Sequence, residues 1–202
     1  MSSYNPAMAG KRDYHHGNLK EALIEAGIEI LDEVGWDALS LRACAARAGV
    51  SHAAPAHHFG NVKGLRTALA AVAFSRFHTT LAEFRDTAEP DPKLRLQAAG
   101  AGYVTFALRH PGLFKLMFGG ADLDYDNADY REASGRAFEQ LGEIVAPFLP
   151  DGSDPCDDYQ LRVTIWSAVH GYTHLLLAGK LRDMGVSDDG LSHLPDLTKL
   201  VR

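Results

Sequence analysis

Histidines at 52, 57 and 58 stand beside Ser51, Ala53 and Ala56, with Arg42 upstream and Lys63 just downstream. Imidazoles and hydroxyls donate to phosphates and base edges, and alanine methyls meet the thymine methyl. The chemistry such a stretch offers is contact with double-stranded DNA. Each residue also has a plainer role: Ser51 as a helix cap, Arg42 as a solvated surface cation. A second pair, His170 and His174, has the four-residue helical spacing that can chelate a metal, but no Cys or acid joins it at that spacing. A third group, Tyr103, Phe106, Phe114, Met117, Phe118, Phe138 and Trp166, is rich enough in aromatic rings to line an apolar pocket, as well as to fill a helical core. There is no Ser-His-Asp order, glycine-rich phosphate loop or carboxylate pair, so the chain reads as a non-enzyme with no metal or cofactor site.

Those residues must be positioned by helices. Leu19, Leu23, Ala26, Ile30 and Val34 recur at helical spacing and predict a first helix over about 18 to 34, stopped by Gly35. Ser40 caps a short helix over about 41 to 48, closed by Gly49. Ser51 is placed to cap a third helix from His52 to Phe59, in which Pro55 would cost the bond to the Ser51 carbonyl. Asn61 opens a long fourth helix, whose stripe of Leu65, Leu69, Val72, Phe77, Leu81 and Phe84 ends near Glu89-Pro90-Asp91-Pro92. Further helices follow over Leu94 to His110, in a short apolar turn to Phe118, and from the acidic stretch beyond Asp122 to near Phe148. A last strong pattern runs to about Lys180, with a looser segment from Leu191 to Val201. No period-two strand is evident, and the class is all-α.

Net charge is −6, with 20 Lys and Arg against 26 Asp and Glu, which at face value argues against a nucleic-acid partner. The charge is uneven, however. No Asp or Glu lies between residues 38 and 82, where Arg42, Arg47, Lys63, Arg66 and Arg76 fall, and the whole excess of acid lies beyond residue 70. An acid-free segment suits a phosphate-facing surface. Two cysteines rule out a disulfide framework, no apolar run reaches membrane-span length, and the N-terminus lacks a secretory signal; a cytoplasmic protein with no membrane partner is expected.

Two short helices joined by a glycine turn and braced by longer ones are the parts of a helix-turn-helix. Across residues 14 to 70 the sequence resembles the TetR/AcrR family of transcriptional regulators. The likeness is carried by Tyr14-His15-His16-Gly17-Asn18-Leu19, Leu39-Ser40-Leu41-Arg42, Ala45-x-x-Ala48-Gly49-Val50-Ser51-His52-Ala53-Ala54-Pro55, His58-Phe59 and Leu65. Trp166-x-x-x-His170-Gly171 is similar to the Trp-His-Gly C-terminal domain of one subgroup. The resemblance implies three parts: a flexible arm at 1–13, a DNA-binding domain at 14–74, and a helical ligand-binding and dimerisation domain at 75–202. Lys11 and Arg12 of the arm, with Arg42, Ser51, His52, Ala53, Ala56, His57, His58 and Lys63, are the expected DNA contacts. The aromatic set with His170 and His174 is the expected site for a small apolar or aromatic effector. A homodimer on a palindromic operator is implied, with helices at about 157 to 180 and 189 to 202 as its seam. The alternative is a small helical metal- or haem-binding protein using His170 and His174 without DNA. The sequence departs from the family at Ala56, where a Tyr is usual, and at Val62, where a Lys is usual; Lys63 is displaced by one position.

Overall fold

The computed structural model describes residues 16–187 and 189–201. The arm at 1–13, with Lys11 and Arg12, lies outside the described residues. Among the described residues there are eight α-helices and no strand: α1 (His16–Glu33), α2 (Leu41–Ala48), α3 (Ala54–Phe59), α4 (Val62–Thr87), α5 (Pro92–Arg109), α6 (Pro111–Phe118), α7 (Ala128–Val145) and α8 (Pro155–Leu177). None is long and apolar enough to cross a membrane. The all-α class and the break at Pro90–Pro92 match the sequence pattern.

Two helix starts are fixed by side chains that the sequence singles out. Ser40 accepts from the Ala43 N–H at 3.1 Å, and Gly49 closes α2 at φ 67°. Asn61 accepts from the Gly64 N–H at 3.0 Å and starts α4. Each cap satisfies an amide that would otherwise lack a partner at the helix end.

Two expectations are corrected. Ser51 does not cap α3: its carbonyl accepts from the Ala54 N–H at 3.1 Å, residues 51–53 form the turn, and the cap position falls on Ala53, whose side chain makes no capping bond. Pro55 consequently lies in the first turn, where its missing N–H costs no helical bond and its fixed φ favours the start. The second correction is at the C-terminus, where 189 to 202 is not a seam helix. Gly185 and Gly190 adopt positive φ, and only a short 3-10 turn at Leu197–Leu200 forms. The segment folds back on its own chain: Leu197 and Val201 are buried, the Leu197 N–H donates to Gln97 Oε1 at 2.9 Å, and the Tyr172 hydroxyl donates to the Gly190 carbonyl at 2.6 Å.

A single apolar core runs from Leu23 on α1 to Val201. Helix α4 is its spine, packing against α1 and α3 near its start and chiefly against α5 and α7 further along. At 26 residues it is about 39 Å long, enough to reach through both halves of the molecule. Leu65 and Leu69 are fully buried at the head end, and Phe74, Phe77 and Leu81 are buried at the other.

The turn between α3 and α4 is tight enough to require glycine at its exit. A Cβ on Gly64 would lie 2.0 Å from the Phe59 carbonyl oxygen. Gly64→Ala must therefore displace α3, and a loss of about 2 kcal/mol or more in unfolding free energy is expected by urea denaturation. A change below about 0.5 kcal/mol would show that α3 is not held by this contact.

Candidate nucleic-acid interface and internal cavity

Helix α3 has two distinct sides. Pro55 and Phe59 point into the core, while Ser51, His52, Ala53, Ala56 and His57 are exposed and His58 is half-buried. The exposed set coincides with the expected base and phosphate contacts on this element. Arg42 is exposed in the first turn of α2, and no ion pair holds it among the described residues.

The other basic residues of the acid-free segment have partners from elsewhere in the chain. Arg47 is paired with Glu29 at 3.2 Å and Glu33 at 2.8 Å on α1, an interaction that lowers the Glu33 pKa. Arg76 is paired with Glu25, and the Arg66 guanidinium lies 4.7 Å from the Trp36 ring centroid. Lys63 Nζ is 3.1 Å from Asp122 Oδ1 in the loop between α6 and α7. A stretch without acids in sequence is therefore supplied with acids in space, because α1 lays its acidic face along it.

Lys63 belongs to a small junction. Thr67, 1% exposed, donates its hydroxyl to the Lys63 carbonyl at 2.9 Å and accepts from the Asp124 N–H at 2.9 Å. Ala121 and Leu123 of the same loop are buried. The loop is thus clamped to the first turns of α4, beside α3. A second junction joins α1 to α6: Asp32 accepts from the Gly112 N–H at 3.2 Å, with His110 Nδ1 at 3.3 Å, and a Cβ on Gly112 would come within 2.5 Å of the Leu31 carbonyl oxygen.

The second half holds a cavity of about 300 Å³, open to solvent on one side, between α4, α5, α6, α7 and α8. Tyr103, Met117, Phe118, Phe138 and Trp166 of the expected set line it. Phe106 and Phe114 do not; each is 1% exposed and packs behind the wall, Phe106 against Phe77 and Phe114 against Tyr103 and Phe118. His170 and His174 also stand outside the lining. The Tyr103 oxygen is 2.6 Å from His170 Nδ1. Burial strongly raises the Tyr103 pKa, and burial together with His174 lowers that of His170, so each is pushed toward its neutral form. His174 is exposed, with its ring centroid 4.4 Å from that of His170. Among the described residues no group of three or more metal-ligating side chains comes together.

The lining residues missing from the expected set come from α4 (Phe74, Phe77, Leu81), α7 (Tyr130, Ser134, Ala137, Leu141) and α8 (Val169). Those on α7 follow three- and four-residue steps, a helical face legible in the sequence. That this face turns toward a cavity is a matter of packing alone.

Two family models match the chain: bacterial regulatory proteins of the tetR family over residues 23–69, and the tetracyclin repressor-like C-terminal domain over residues 96–194. An uncharacterized HTH-type transcriptional regulator of Mycobacterium tuberculosis is 26% identical over 165 residues, 82% of this chain and 73% of that protein. A protein of unknown function from Rhodococcus sp. RHA1 is similar in structure, with a TM-score of 0.78, 31% identity, and coverage of 94% of this chain and 97% of that one. The transcriptional regulator FadR from Bacillus subtilis, solved in complex with stearoyl-CoA, shares the fold at 16% identity and a TM-score of 0.65, covering 90% of this chain and 97% of that one.

The Lys63 ammonium can serve Asp122 or a DNA phosphate, not both fully. Asp122→Asn should tighten binding to a duplex of any sequence and steepen the dependence of log K on log salt by about one. Fluorescence anisotropy across a salt series measures both, and an unchanged slope would assign Lys63 to the junction alone. The exposed pair itself should contribute less than about 1 kcal/mol to stability.

Proposed function

Because this chain belongs to the TetR family of transcriptional regulators, with a helix-turn-helix DNA-binding domain, we propose that it is a ligand-responsive repressor that binds a palindromic operator as a homodimer. The observation that carries this reading is the dual role of α4. Its first turn abuts α3 and holds Lys63, while Phe74, Phe77 and Leu81 of the same rigid helix form a wall of the cavity. An effector that fits the cavity better when α4 is displaced would shift the population toward a head geometry that no longer matches two half-sites. Arg42, His52, Ala53, Ala56, His57 and His58 are the proposed contacts, with Lys11 and Arg12 reaching from the arm and the Ser51 hydroxyl free to meet a phosphate.

Dimerisation is assigned to the outer face of α8, since the segment after it covers its own chain. Thr164, Ser167 and Gly171 are exposed along this helix, and Leu175 and Leu177 are 48% and 37% exposed near its end. A two-fold axis there would present two α3 helices to successive major grooves. Such a regulator works where its DNA is, in the cytoplasm.

Ala56 and Val62 stand where the family's usual phosphate contacts are Tyr and Lys, and the spatial pairing of Arg47 and Arg76 leaves little spare positive charge. Operator affinity is accordingly modest at physiological salt, with a salt slope about two below that of a strongly basic regulator. Selection of bound sites from random duplexes tests the reading: an enriched palindrome with half-sites one helical turn apart is expected. Enrichment of a single, unrepeated site, or of none, would count against it.

A further inference from the structure

The cavity carries more information than its size. None of its lining residues is Asp, Glu, Lys, Arg or His. Two hydroxyls in its wall are already engaged: that of Tyr103 with His170 Nδ1 at 2.6 Å, and that of Ser134, which donates to the Tyr130 carbonyl at 2.8 Å. Tyr130 also lines the cavity, and its hydroxyl makes no hydrogen bond among the described residues, which leaves it able to bond a guest. Cations near the rim are already engaged. Arg162 stacks 5.3 Å from the Phe138 ring centroid while its guanidinium holds Asp158 at 2.5 Å, and Arg85 is bonded to Asp86 at 2.8 Å. Behind the wall, burial and the neighbouring His174 lower the pKa of His170.

An ion entering such a cavity would lose its hydration and gain no counter-charge, whereas a neutral molecule loses little and covers aromatic surface. We propose that the cavity takes a compact, electrically neutral, largely apolar molecule with at most one hydroxyl or carbonyl, and refuses carboxylates, ammonium ions and coenzyme A thioesters. The proposal rests on the reading of the cavity as the effector site. Its volume of about 300 Å³ lies at the small end of small-molecule pockets, which fits a compact guest.

The protein has two tryptophans, and one of them, Trp166, is part of the wall. In a Trp36→Phe variant of the full chain the emission therefore reports on the cavity. Four probes are titrated: 1-decanol, decanoate, decylammonium and stearoyl-CoA. Decanol is expected to change the Trp166 emission saturably, and the three charged probes to bind about 100-fold more weakly or not at all. Any charged probe within tenfold of decanol overturns the proposal, as does the absence of a saturable change with decanol. Ala137→Phe, which fills the cavity, should weaken the decanol response at least tenfold while leaving the helical circular dichroism intact; an unchanged response in that folded variant places decanol elsewhere and also overturns it. Duplex binding measured on the same samples separates the two levels: its loss in every variant and at every salt concentration refutes the regulator reading, whereas an adverse charge series with intact duplex binding refutes only the chemistry proposed for the cavity.

Discussion

The burial of α4 constrains everything else in this molecule. From residue 62 to residue 78 every residue of this helix is buried or half-buried. Its turns are occupied in succession by α1 and α3, then by α5 and α7, so a displacement on one side must be met by repacking on another. An interior packed at close to crystal density transmits such a shift. The head is consequently not a separate bead on a linker, since it shares its core with the cavity that lies further along the same helix. Thr67 adds a directional element, because it ties the α4 backbone to the loop leaving α6, and α6 supplies Met117 and Phe118 to the cavity wall.

Electrostatics in the head follow from that compactness. A run of 45 residues without a carboxylate would be a strong anion-binding surface if it stood alone. Packed against α1 and beside the α6–α7 loop, it meets Glu25, Glu29, Glu33 and Asp122, and three of its five basic side chains are paired. These pairs are largely solvent-exposed, so each contributes little to stability and can be exchanged for a phosphate at small cost. Their larger effect is on the field that incoming DNA meets. Arg42 and the outer side of α3 are left exposed, and in the proposed function these are the residues that would have to discriminate by direct contacts rather than bulk charge.

In the second half the same aromatic residues serve two purposes at different depths. Phe106 and Phe114 are wholly enclosed and hold the wall in place through edge-to-face contacts with Phe77, Tyr103 and Phe118. Tyr103, Phe118 and Trp166 face the space itself. The hydrogen bond between Tyr103 and His170 satisfies one polar group of the wall internally.

Local features of the chain determined much of this outcome. Helical spacing of apolar residues set the all-α class, Ser40, Gly49 and Asn61 set where helices stop and start, and the residues around Ser51–His58 marked the second short helix of the helix-turn-helix. Such features act within a few residues and are legible wherever a cap or a period is strong. Ser51 was legible as a polar turn residue but not as a non-cap, because the start of α3 is shifted by the fit of Pro55 and Phe59 against the core. The fold-back of Leu197 and Val201 was hidden for a similar reason: a loose apolar pattern of that length suits a helix, and only Gln97, Tyr172 and the groove they border draw it into an irregular path. The partners of Lys63, Arg47 and Arg76, and the division of the aromatic set into lining and support, were decided by tertiary structure alone. Each depends on groups brought together across many residues of chain by packing, and neither charge nor cavity is a property that a single segment possesses.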